Sequence, residues 1–209
     1  MSKLADKSKQ AHAGFYLTLV SIVQSLALGF LLQLLDAELI AKGTLSLNIS
    51  FQAITVFLGI ILVWHEYAIG TIAYTWKLDI IDSAIPFLIG VAEYMMIAAM
   101  AIPEDNPTFG TKRYALWLWS LSAFAFTAVI AYLNQHKKAQ VETDESSDVI
   151  KIPKKNLGFT VGYFVFFVLL AALFSFWRLP DKFLWIPSLV ICVLFSVEAF
   201  RANRVYASV

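Results

Sequence analysis

Along the chain, apolar residues gather into six runs separated by short polar breaks. They cover Gly14–Leu35, about Asn48–Tyr74, Ile80–Ile102, Tyr114–Asn134, Leu157–Trp177 and Phe183–Phe200. A transmembrane helix needs about 20 apolar residues to cover about 30 Å of hydrocarbon. The pattern predicts an all-α integral membrane protein, a bundle of six transmembrane helices forming a single transmembrane domain over residues 1–209. The second run is longer than a bilayer requires, so it is expected to tilt or to end early in an interfacial turn. A polar loop with Asp36, Glu38, Lys42 and Gly43 is expected after the first run. A charged linker, residues 135–156, is expected between the fourth and fifth.

Within the runs, polar and small residues recur at helical spacing. In the third, Asp79, Asp82, Pro86, Gly90 and Glu93 fall within a sector of roughly 80° at about 100° per residue. In the second, Asn48, Gln52, Thr55, Gly59, Glu66, Gly70 and Lys77 fall within about 60° by the same geometry. His65 lies on an adjacent face. The first run repeats the pattern with Thr18, Ser21, Ser25, Gly29, Gln33 and Asp36, with Gln24 beside it. The fourth has Ser120, Ala123, Thr127, Ala131 and Asn134 on one side. Surfaces facing lipid must be apolar, so such stripes are expected to face protein or water. The fifth run is dominated by aromatic residues, and the sixth has few polar interruptions. The expectation is a core of spans one to four, with five and six peripheral or at an oligomer interface. The short connection Thr75–Asp79 predicts that spans two and three are antiparallel neighbours whose polar faces meet, with Glu66 and Glu93 at similar depths.

A carboxylate at the centre of a bilayer costs about 2.5–3.5 kcal/mol on insertion scales. It is therefore kept for a function, or held protonated. Glu93 is the deepest such residue. Glu93 and Glu66 could share a proton or bind a cation, His65 could relay protons near neutral pH, and Lys77 could neutralise Asp79 or Asp82. The candidate ion or proton pathway is thus Glu93, Glu66, His65, Asp82 and Asp79. Each also has a plainer role: Glu93 as a hydrogen-bonded lock, His65 as an ordinary helix residue, Asp79 and Asp82 as residues favouring a helix N-terminus. Glu198 and Arg201 read as an interfacial pair.

Composition narrows the class. Hydrophobic residues make up 59% of the chain and charged residues 15%, with mean hydropathy +0.71, against about 45–50% apolar in soluble domains. A net charge of +1 gives no reason to expect nucleic acid. Cys192 is the sole cysteine, so neither an intramolecular disulfide nor a cysteine metal cluster is expected. His12, His65 and His136 are too scattered for a bis-histidine haem. Zinc-protease, serine-hydrolase and phosphate-loop motifs are lacking, so no enzyme activity, cofactor or metal site is expected. The first apolar run is too long for a signal core and reads as a retained helix. The loops and tails place eleven Lys and Arg residues on one side (Lys3 to Lys9, Lys77, the 135–156 linker, Arg201 and Arg204) and five on the other (Lys42, Lys112, Arg113, Arg178 and Lys182), which predicts both termini in the cytoplasm of a plasma (inner) membrane. Small six-span urea channels and haem-binding reductases have similar size, but neither pattern is present here. The expected function is a small proton or cation channel, or a transporter component, with a polar route between spans one to four and assembly as a homo-oligomer. The alternative is a non-catalytic membrane subunit, sensor or effector that docks a cytoplasmic protein partner through the Asn134–Lys155 linker.

Overall fold

The computed structural model describes residues 3–73, 80–103, 112–142, 148–177 and 183–207, with side chains for 14–70, 80–103, 112–137, 156–177 and 183–201. Among these residues the chain forms six α-helices: α1 (Lys3–Lys42), α2 (Leu47–Ala73), α3 (Ile80–Met100), α4 (Arg113–Glu142), α5 (Asp148–Phe176) and α6 (Trp185–Ala207). Five of them carry described stretches long and apolar enough to cross a membrane. The side chains of α6 are described only over 185–201, short of that length. The apolar helices are consistent with an integral, multi-pass membrane protein. Their outward surface agrees, since Phe30, Phe57, Phe87, Val165, Leu169 and Val193 are among many large apolar side chains exposed on it. A continuous surface of this kind is unfavourable in water and at home in lipid.

The polar loop expected at Asp36–Lys42 is helical instead. Helix α1 continues past its apolar run, with Lys42 Nζ 2.7 Å from Glu38 Oε2 one turn back. It stops at Gly43, whose φ of 71° is the left-handed conformation that ends helices and that glycine adopts without strain. Ser46 then caps α2: its Oγ accepts from the Ile49 N–H at 3.3 Å, three residues on, as an N-cap side chain does. The linker 135–156 is also helical where described, as the end of α4 and the start of α5. The connection Thr75–Asp79 lies outside the described residues.

Helix α4 packs most extensively against α5 and then α3, while α2 rests on α6 and α1 and touches α3 only lightly. This corrects the expectation that α2 and α3 present their polar faces to each other. The part of the α2 stripe from Asn48 to Gly59 is buried, with Asn48 bonded to Ser188 of α6, while Glu66 and Gly70 are half-buried. A Cβ placed at Gly59 would lie 3.5 Å from the Phe124 ring and 3.6 Å from the Phe195 ring, so two bulky rings sit over this glycine. Sequence neighbours need only be near one another at their shared turn; ridge packing above it is decided by which faces fit.

The α1 stripe is likewise turned the other way. Tyr16, Val20, Val23, Ala27, Leu31 and Leu34 form the buried face, with Gln24, whereas Thr18, Ser25, Gly29, Gln33 and Asp36 are exposed. Thr18 donates to the Gly14 carbonyl at 2.8 Å. A hydroxyl satisfied within its own helix has no need of a protein partner and can face outward. Few side chains of α5 are fully buried, Phe167 and Ala171 among them, yet α5 packs extensively on α4, so it is not simply peripheral. Nor is α6: Ser188 and Ile191 are fully buried.

Candidate functional site

Polar side chains collect at three levels of the bundle. At the end holding the α4 and α6 N-termini, Ser188 Oγ lies 2.8 Å from Asn48 Oδ1 and 3.1 Å from the Tyr114 hydroxyl. These bonds tie α6 to α2 and α4. All three residues are buried, and their mutual pairing removes the cost of burying them.

At the opposite end, Asp82 in the first turn of α3 is buried and accepts from Asn134 Nδ2 at 2.6 Å. Pro86 lies inside α3 and has no N–H to give the Asp82 carbonyl one turn back. Nearby, Arg201 Nε donates to Glu198 Oε2 at 2.8 Å and Nη1 to Asn156 Oδ1 at 3.0 Å, while Nη2 meets Glu198 Oε1. The guanidinium sits 4.4 Å from the centre of the Phe159 ring. Hydrogen bonding to Glu198 pushes Arg201 above its ordinary pKa, outweighing its partial desolvation. The Glu198–Arg201 pair read from the sequence is thus formed, but it also binds Asn156 on α5, which is fully buried.

Between these ends lies Glu93. It is fully buried, and neither carboxyl oxygen makes a hydrogen bond. The Gln24 amide of α1 is apposed to it, without a formed bond from either of its own polar atoms. One turn before Glu93, α1 and α3 are in tight contact: a Cβ at Gly90 would lie 2.4 Å from Val23 Cγ1.

Of the residues singled out from the sequence, Asp82 and Glu93 share one face of α3 but meet different partners, Asn134 on α4 and Gln24 on α1. Glu66 and His65 on α2 are half-buried, and each interacts with a neighbouring group. Glu66, with Tyr132, Gln135, Tyr163 and Glu198, lines a cavity of about 120 Å³ among α2, α4, α5 and α6, closed in part by Ile89 of α3. Glu93 does not line it, so the two glutamates belong to separate sites. Asp79 lies outside the described residues. Glu66 and Glu198 were singled out in the sequence, but not as sharing a cavity, and Asn156 was not singled out, because helices far apart in the chain bring these residues together. Among the described residues, no three His, Cys, Asp or Glu side chains converge as a metal site.

No family model, curated protein or solved structure matches this chain significantly.

Proposed function

We propose that this protein is a small proton- or cation-conducting channel, or a transporter component, of a plasma (inner) membrane. In this reading it has six spans and both termini in the cytoplasm, and acts by transport rather than catalysis. Glu93 carries the reading. A carboxyl group that served only to lock helices together would be hydrogen-bonded, as Asp82 is to Asn134. Glu93 is buried as deeply, and its carboxyl group has the Gln24 amide against it but no bond of full hydrogen-bond geometry. Leaving a buried polar group unsatisfied costs about 1–3 kcal/mol, a cost consistent with a group that must bind and release a proton or cation. The Gly90–Val23 contact closes the α1–α3 seam beside it, so passage requires that seam to part.

Flux into proteoliposomes tests this. Wild-type protein conducts, and Glu93→Gln inserts normally but conducts no faster than lipid alone. A second reading is favoured by the helical continuation of α4 to Glu142 and the start of α5 at Asp148, which give the linker helical flanks for a cytoplasmic partner. In that case removing residues 143–147 abolishes function and Glu93→Gln is tolerated. Homo-oligomer assembly is part of the transport proposal, with the exposed polar face of α1 available to a second copy. Replacing Ser25→Cys in a Cys192→Ala background then yields a crosslinked dimer under oxidation; a wholly monomeric product removes that face from the assembly.

A further inference from the structure

A carboxyl group deep in a bundle can hold either a proton or a metal cation, and the donors around it decide which. The Gln24 amide lies against the Glu93 carboxyl group, and both oxygens of Glu93 and both polar atoms of Gln24 are buried without a hydrogen bond. Beside them the α1–α3 seam is apolar and tight, with Val23 filling the space where a Gly90 side chain would stand. A metal cation that leaves water needs its hydration shell replaced by oxygens. Potassium filters do this with rings of carbonyl groups, and calcium takes about 6–8 oxygen ligands. Glu93 and Gln24 together offer three oxygens, two of them on one carboxylate. Among the described residues, no three acidic, histidine or cysteine side chains converge to add more. Asp82, on the same face, stands about 16 Å further along α3 and already holds Asn134.

A proton needs no such shell. Bound to one Glu93 oxygen, it removes the charge and turns that oxygen into a donor. The acid O–H then has Gln24 Oε1 to donate to, and Gln24 Nε2 has the other Glu93 oxygen, so a small closing of the seam satisfies all four atoms with one another. Without the proton, Gln24 Oε1 faces an anion and has no donor from Glu93. The amide is thus complementary to the neutral acid rather than to the carboxylate. We propose that the species Glu93 hands across the membrane is the proton, and that Na⁺ and K⁺ are excluded; this rests on the transport reading above. In each cycle a proton from one side forms an O–H bond to the carboxylate, and the same bond breaks toward the other side. The carboxylate is restored, no other bond changes and no electron is transferred.

The test sets two gradients against each other in proteoliposomes of the full chain, acid outside and K⁺ concentrated inside, and then Na⁺ in place of K⁺. A voltage-sensitive dye and a trapped pH dye are read together. Proton entry makes the interior positive, and metal-cation exit makes it negative. The wild type is expected to turn the interior positive and acidic to the same extent with either metal, and Glu93→Gln to do neither. Gln24→Leu, which removes the partner of the acid, is expected to keep the sign and slow acidification about tenfold, the upper end of what one hydrogen bond is worth; it stands in should Glu93→Gln fail to fold. An interior-negative potential, or acidification without a potential that depends on the metal gradient, would overturn the proton assignment and leave the transport reading intact. A positive potential that persists in Glu93→Gln would take the proton off Glu93. Neither potential nor acidification, with the wild type folded and inserted, would overturn the transport reading and this assignment with it.

Discussion

Gly90 and Val23 set how closely α1 and α3 approach. Valine is stiff about χ1 in a helix, so the Cγ1 that a new Cβ would meet at 2.4 Å cannot swing away cheaply. Gly90→Ala is therefore expected to destabilise the folded protein by about 1–3 kcal/mol, the usual cost of overpacking. Adding Val23→Ala should restore part of that loss, since it removes the clashing methyl. Unfolding in detergent by denaturant, followed by circular dichroism, measures both. If the single variant is as stable as wild type, the seam is looser than described. The contact also bears on Glu93, one turn further along α3: Gln24, next to Val23 on α1, lies against the carboxyl group.

Helices α5 and α6 show how a few polar groups can hold elements that share little backbone contact. Their tie consists of Arg201 with Asn156, the Tyr163 hydroxyl 3.4 Å from Glu198 Oε2, and the Phe167–Phe195 ring pair. Arg201→Met keeps an apolar stem but removes the cation from Glu198, which keeps only the Tyr163 hydroxyl, and leaves Asn156 Oδ1 without its partner. It should cost about 1–3 kcal/mol, the penalty for buried groups left unpaired. A further Glu198→Gln change should recover part of this by removing the isolated charge. Thermal unfolding of the single and double variants gives the comparison; a double variant weaker than the single one would contradict it. The pairing of Glu198 with Arg201 was legible from their spacing on one helix. The contribution of Asn156 was not, because its partner lies on another helix and nothing near it in the chain marks it as buried.

Across the bundle, the sequence revealed the apolar helices directly, since run length against bilayer thickness is a local property. It also marked which residues share a helix face. It did not reveal where each face points. Thr18 satisfies its hydroxyl on its own backbone, so the α1 stripe can lie outward. On α2, Asn48 found its partner on α6 and Gly59 faces phenyl rings of α4 and α6, instead of the adjacent α3. Glu93 was legible as a deep carboxyl group, but its lack of hydrogen bonds depends on Val23 and Gln24 of α1, which only the packed bundle brings there. The proposed transport role rests on that unsatisfied group. Its most direct test is proton uptake by proteoliposomes loaded with a pH-sensitive dye under an imposed pH gradient, comparing wild type with Glu93→Gln at equal protein density. The account predicts wild-type uptake well above that of empty liposomes and a variant indistinguishable from them. Equal uptake by the two proteins, with both folded and inserted, would contradict it.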